Sequence, residues 1–271
     1  MNDAVYPPVR HLYEKQGSLF HPTPLARGPW NPEHQGGMQL AGLLAHLIET
    51  APAPAPMLAA RMTVDILRPT PVQPLEAHIR VVRDGRKVQM LEASLCADRI
   101  VTVRASVLRS RTAESPGTAG MDWPEDPPEA PPFFSDRSQL ARIADTRLVS
   151  GGLAHEGPGS MWCAFDGEIV RGAPITPFVQ AMMVADMGSG VSSFVDWREW
   201  SFANLDVTLH LLRMPEGAWL KLDAASFSAG NGVAVVSGKI ADRRGTVGRT
   251  HQTLFLEPRQ RPGRLQSDPP K

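Results

Sequence analysis

The chain has 271 residues, 42% of them hydrophobic and 21% charged, and its 28 basic and 28 acidic side chains cancel to a net charge of zero. That composition excludes a disordered chain, and the balance of charge supplies no basic excess to draw the protein to nucleic acid or to an anionic membrane. No apolar run approaches the roughly 20 residues of a membrane span, and the first stretch, MNDAVYPPVRHLYEKQG, lacks the basic-then-apolar order of a signal peptide, so a cytoplasmic location is expected.

Taken in order, HPTPLARGPW (21–30) reads as strand or extended loop. HQGGMQLAGLLAHLIET follows, with apolar residues on nearly every side, and reads as a buried helix that proline stops at 51–56. Four strands come next, at 59–67, 75–83, 87–97 and 100–109, with Asp84-Gly85 as a tight turn. Cys96 and Cys163 lie far apart in apolar surroundings and read as reduced, buried thiols. Residues 112–135 are rich in proline, show little periodicity and read as a linker.

The same order then recurs. Strands are expected at 146–153 and 160–165, then an apolar helix over 175–188 with Thr176 as N-cap and Pro177 at its first position. Strands at 202–213, 219–227, 233–241 and 247–257 complete the chain before a polar tail. Short matches support a repeat: Asp65-Ile66-Leu67-Arg68-Pro69 with His210-Leu211-Leu212-Arg213-Met214, and Ala97-Asp98-Arg99 with Ala241-Asp242-Arg243. Gln39 and Gln180 take like places in the two helices. The expectation is an α+β chain of two copies, each a buried helix wrapped by an antiparallel sheet, divided as 1–111, linker 112–135, 136–258 and tail 259–271.

The stretch 201–213, SFANLDVTLHLLR, alternates. Leu205, Val207, Leu209 and Leu211 fall on one face, and Asn204, Asp206, Thr208 and His210 on the other. Such a polar row is either solvated or a site, and Asp206 is the candidate general base. Asp186 sits alone in the apolar helix VQAMMVADMG and either hydrogen-bonds a neighbouring loop or lines the site; near a helix C-terminus the dipole disfavours an anion, which favours the structural reading. No zinc-type spacing of Cys and His, no G-x-S-x-G elbow and no nucleotide fingerprint is present in the sequence.

Together, GPW…HQGGMQLAGLLA (28–45), DILRPTPVQPLEAHIRVVRDGRKV (65–88), VADMGSG (184–190), NLDVTLHLLRMPEGAWLKL (204–222) and DRRGTVGRTHQTLFL (242–256) make the chain resemble the double-hotdog acyl-CoA thioesterases of the thioesterase II type and the related thioesterase-like superfamily. The resemblance implies hydrolysis of an acyl-CoA thioester without a covalent intermediate, by a water held by an Asp, a Ser or Thr and a Gln. By position these are Asp206, Ser226 (with Ser228 next in line) and Gln252. It implies no metal or redox cofactor, and association into homo-oligomers. The glycine-opened helix at Gly36, Gly37 and Met38 could present backbone donors to the thioester or to a coenzyme A phosphate; His34, just before it, either touches substrate or is a solvated loop residue. In the first copy Gln252 aligns near Leu108 and Asp206 near Arg61 or Met62, so a single hydrolytic site is expected, between the copies. A non-hydrolytic acyl-CoA-binding protein and a hotdog hydratase or dehydratase are the alternatives; the latter chemistry usually calls for a His with a carboxylate, and no such histidine stands out.

Overall fold

A computed structural model describes residues 9–117, 126–135 and 138–259. Two short strands, β1 (His11–Gln16) and β2 (Leu19–Pro22), precede helix α1 (Gly37–Thr50) and four longer strands, β3 (Met57–Ile66), β4 (Leu75–Asp84), β5 (Val88–Ala97) and β6 (Ile100–Arg111). Next come β7 (Ala144–Ser150), β8 (Gly159–Phe165), β9 (Glu168–Val170) and β10 (Ala173–Pro174), then helix α2 (Pro177–Asp186) and a single turn, α3 (Gly188–Val191). The last strands are β11 (Trp200–Leu211), β12 (Trp219–Ser228), β13 (Val233–Asp242) and β14 (Gly245–Pro258).

All of these strands join one sheet, in the order β10-β9-β1-β2-β4-β5-β6-β3-β11-β14-β13-β12-β8-β7. The β1–β9 pair is parallel and the other pairs are antiparallel. Outward from the β3–β11 seam the order reads β3-β6-β5-β4 on one side and β11-β14-β13-β12 on the other, so the two sides mirror each other. At the seam Val64 lies opposite Val207 and Met62 opposite Leu209, and all four are buried. One face of the sheet thus covers the two helices, and the architecture is α+β.

The helices form for different local reasons. Thr176 caps α2 by accepting from the Val179 N–H at 3.3 Å, with Pro177 in the first turn, as the sequence predicts. Helix α1 starts at Gly36 with no side-chain cap and is held by burial: Met38 to Ala45 is a continuous buried run. The helices lie antiparallel, because the first turn of α1 meets Asp186 and the end of α1 meets Thr176. Gly42 permits their close crossing, since a Cβ there would stand 2.9 Å from Cγ of Met183.

Two expectations change. The strand expected over 146–153 ends at Ser150, because Gly151 and Gly152 take φ of 75° and 91° and turn the chain away. The described part of the expected linker packs on the body: Pro131 accepts from the Leu148 N–H at 2.7 Å, and Phe133 and Phe134 are partly buried against the core. The expected tail lies, beyond Arg259, outside the described residues. No helix among the described residues is long and apolar enough to cross a membrane.

Candidate active site

The site is set by an irregularity in β11. Its pairing with β14 shifts register between Asn204 and Asp206, leaving Leu205 as a bulge that is 45% exposed. A bulge inserts one residue and so exchanges the faces on either side of it. Phe202 and Asn204 therefore share the helix-facing side with Val207, Leu209 and Leu211, while Asp206 turns to the outer side. The uninterrupted alternation expected from the sequence fails here. The Asp206 carboxylate accepts from the Thr253 N–H at 2.8 Å, a local repair of the interrupted ladder.

What Asn204 meets on the inner side is Asp186. Its Nδ2 donates to Oδ1 of Asp186 at 2.8 Å. The backbone N–H of Met38, in the first turn of α1, also donates to this carboxylate. Gly37 lets the carboxylate come so near: a Cβ there would lie 3.2 Å from Oδ1 of Asp186 and equally close to Cδ1 of Ile66. Although Asp186 ends α2, where that helix's dipole opposes an anion, it faces the positive end of α1. Burial is the main influence on its pKa and raises it from 3.8 to about 6, against the opposing hydrogen bonds from Asn204 and Met38. Part of the residue still reaches the surface. Two residues before Asn204 in β11, Phe202 packs edge-on against the half-exposed Trp30 with ring centres 5.0 Å apart.

Gln252 braces the same corner. It is 1% exposed, opposite Val207 on one strand and Val236 on the other. Its Nε2 donates to the carbonyls of Ala185 (2.9 Å) and Asp186 (2.8 Å), and its Oε1 accepts from the Ser189 N–H at 3.0 Å. These bonds engage helix-end groups, alongside longer ones from Thr250 to Ala185 (3.3 Å) and from Asn204 to Asp186 (3.4 Å), and they fix the backbone that carries Asp186. Ser226 joins less directly. Its hydroxyl lies 2.8 Å from that of Ser192, which donates to the Gly188 carbonyl at 2.9 Å. A hydroxyl has one proton, so Ser226 donates to Ser192.

Of the residues singled out from the sequence, Gln252 and Ser226 thus converge on the α2–α3 corner, and Asp206 stands on the opposite face of the sheet. Ser228 is exposed and its hydroxyl donates to the Val233 carbonyl within the hairpin. Gly37 and Met38 lie against Asp186. Gly36 spends its N–H on the Ala26 carbonyl, and His34 is held in the preceding loop, where it bridges to Pro71. Sequence reasoning favoured a structural role for Asp186 and placed Asn204 beside Asp206 on the polar face. The signal for Asp186 was its isolation: α2 has no other charged residue.

Residues 26–110 match the family described as acyl-CoA thioesterase N-terminal domain, and residues 117–256 match its C-terminal counterpart. The chain belongs to the acyl-CoA thioesterase family. Among solved structures, this thioesterase is similar to a hot dog fold protein of unknown function from Alicyclobacillus acidocaldarius, with a TM-score of 0.71 and 18% identity over 90% of this chain and 95% of that one. It is also similar to the acyl-CoA thioesterase II TesB2 of Mycobacterium marinum (TM-score 0.65, 17% identity, 93% and 96% covered). A third similar structure is the tesB protein of Mycobacterium avium subs paratuberculosis (TM-score 0.63, 19% identity, 91% and 96% covered). No curated protein matches the chain. At such identities the structural likeness speaks to the fold, the hotdog fold, and the family match speaks to thioester hydrolysis.

Proposed function

We propose that this acyl-CoA thioesterase hydrolyses its substrate at Asp186, with Asp186 as general base, Asn204 as its partner and the first turn of α1 as the electrophilic wall. The observation that carries this reading is the Asp186 carboxylate itself, placed where one helix ends and another begins, with a pKa of about 6. A base poised just below neutral is ionised at neutral pH yet basic enough to take a proton from water. Two donors occupy the carboxylate, and its remaining lone pairs can hold a water; Asn204 donates through Nδ2 and keeps a carboxamide oxygen as a further acceptor.

The step balances simply. Water adds to the thioester carbonyl carbon as its proton passes to Asp186. The carbonyl oxygen becomes an oxyanion, which those N–H groups of α1's first turn not spent on Asp186 stabilise at the positive end of that helix. Collapse expels the thiolate, and the proton returns to it or to solvent, leaving free acid and coenzyme A. Gln252 acts as a positioning residue, since its bonds are spent on backbone. Ser226 and Ser192 support the same corner, and Asp206 drops out because its face of the sheet is the wrong one.

The mirrored strand order supports reading the chain as two hotdog units, 1–111 and 136–258, joined by 112–135 and followed by the tail 259–271, with one hydrolytic station. Thiol release from a panel of acyl-CoAs tests the assignment. Asp186→Asn is expected to remove most turnover with the fold intact by circular dichroism, and Asp206→Asn to retain it. An Asp186→Asn enzyme that cleaves every thioester as fast as wild type sinks the mechanism. Tight acyl-CoA binding with no thiol release by the wild type would favour an acyl-CoA-binding role instead.

A further inference from the structure

The outer face of the sheet, away from the helices, carries a band of cations. On β14, Arg249 and His251 are exposed between the buried Gly248, Thr250 and Gln252. His210 on β11 pairs with Arg249 on one side and with Arg61 of β3 on the other. Arg249 pairs in turn with Lys239 of β13, Lys239 with Asp223 of β12, and Asp223 with Ser160 of β8. One row across six strands therefore holds three permanent cations, Arg61, Arg249 and Lys239, against the single carboxylate of Asp223. In a chain of zero net charge this is a local excess.

The far half of this row floors a groove of about 510 Å³, lined by Ser160, Asp223, Ser237, Lys239, Arg249 and His251 among others. That volume suits a small metabolite. Two features mark it as built for an anion. The hydroxyl of Ser160 is buried and has no protein partner, and Ser237 lies 3.3 Å from Nδ1 of His251, so hydroxyl and imidazole donors sit among the cations. The cations also repel one another. Beyond the effect of burial, His251 and Arg61 lower the pKa of His210, and Arg249 and Lys221 lower that of Lys239 against the opposing charge of Asp223. Such crowding is relieved when a negative charge enters.

We propose that this groove is a second binding site, for a small phosphate-bearing metabolite, on the side of the sheet opposite Asp186. Phosphate fits because its several acceptor oxygens can be shared by guanidinium, ammonium and hydroxyl donors at once. The inference is independent of the hydrolytic assignment, since none of these groups reaches the α2–α3 corner.

Calorimetric titration with inorganic pyrophosphate and with adenosine 3′,5′-bisphosphate, the latter resembling the phosphorylated end of coenzyme A, tests it. Saturable binding is expected for one or both. Preference for the bisphosphate would identify a nucleotide ligand, and equal affinity a site for phosphate alone; adenosine should not bind. Arg249→Gln is expected to weaken binding about tenfold or more while still hydrolysing an acyl-pantetheine, and Arg61→Gln to weaken it less. Asp186→Asn should bind as wild type does. Any of four results overturns the proposal: no saturable binding of either probe, equal binding by wild type and Arg249→Gln, loss of the binding in Asp186→Asn, or a sedimentation shift in Arg249→Gln showing that a second copy of the chain covers this face.

Discussion

At one end of the helix pair Asp186, the last residue of α2, faces the first turn of α1; at the other Glu49, near the end of α1, faces the first turn of α2. Each acid is braced from a strand. Gln252 of β14 donates to the final carbonyls of α2, and Arg109 of β6 does the same for α1, reaching Ile48, Ala51 (3.1 Å) and Pro52 (3.2 Å). The differences lie in what touches the acid. Asp186 takes its bond directly from a helix N–H, because α1 is capped by glycine and leaves the space open. Glu49 meets instead the hydroxyl of the cap, Thr176, at 2.5 Å. Burial raises the pKa of Glu49, opposed by the Thr176 hydrogen bond and by the charge of Arg109. A neutral brace and an open helix end surround one carboxylate; a cationic brace and a capping hydroxyl surround the other.

The widest separation between the two ends is expected in turnover. Loss of the Asp186 base should lower kcat by about 10²–10⁴-fold, the usual contribution of general base catalysis. Glu49→Gln, measured alongside by thiol release, should stay within about twofold of wild type, as expected for a residue outside the reaction. Equal losses would mean that both ends hydrolyse.

Next in size is the stability held by Arg109. Arg109→Met keeps most of the side-chain length but removes the guanidinium bonds to the Ile48, Ala51 and Pro52 carbonyls and a 2.9 Å bond to Oε1 of Gln89. Charge-assisted bonds of this kind contribute about 1.5–3 kcal/mol, so urea unfolding should show a loss of that order with kcat intact. A fall in kcat larger than the loss of folded protein would place Arg109 in the catalytic unit.

How much of this was legible in the sequence depends on what each signal encodes. Helix and strand order followed from apolar periodicity and from turn dipeptides such as Asp84-Gly85, which depend on residues close in the chain. The face of Asp206 did not, because the bulge at Leu205 is decided by pairing with β14, and alternation carries no trace of it. The repeat alignment put Leu108 opposite Gln252 and so implied that the first copy had lost its polar set. In the structure the strand residue that meets the end of α1 is Arg109, one position beyond Leu108. The surroundings of Asp186 were hidden for a related reason. The dipole argument counted its own helix and had no way to know that a second helix begins beside it.

A smaller effect separates the ends in their response to pH. With its pKa raised to about 6, Asp186 is the carboxylate above that value and is protonated below it. The rate should therefore plateau above about pH 6 and fall about tenfold for each further pH unit on the acid side. Asn204→Leu removes a hydrogen bond that favours the charged form, so the midpoint should move upward. Glu49→Gln should leave the profile where it is, and a midpoint that follows Glu49 would reverse the assignment of the two ends.

The smallest expected effect tests the hydroxyl that distinguishes the silent end. Thr176→Val keeps the shape of the side chain but removes the acceptor for the Val179 N–H and the donor to Glu49. Loss of an N-cap costs about 1 kcal/mol, which thermal unfolding would register as a drop of roughly 2–4 °C. The sign of its pH dependence follows from Glu49. The folded-state pKa of that group already lies above its ordinary value, and losing the Thr176 donor raises it further. The added penalty falls on the ionised form, so it is absent in acid and appears as pH rises through the wild-type folded pKa. The variant should therefore be more destabilised at pH 8 than at pH 4, with kcat unchanged at both ends of the range where the enzyme is active. A deficit that does not vary with pH would mean that Thr176 serves only as a helix cap and that Glu49 draws nothing from it.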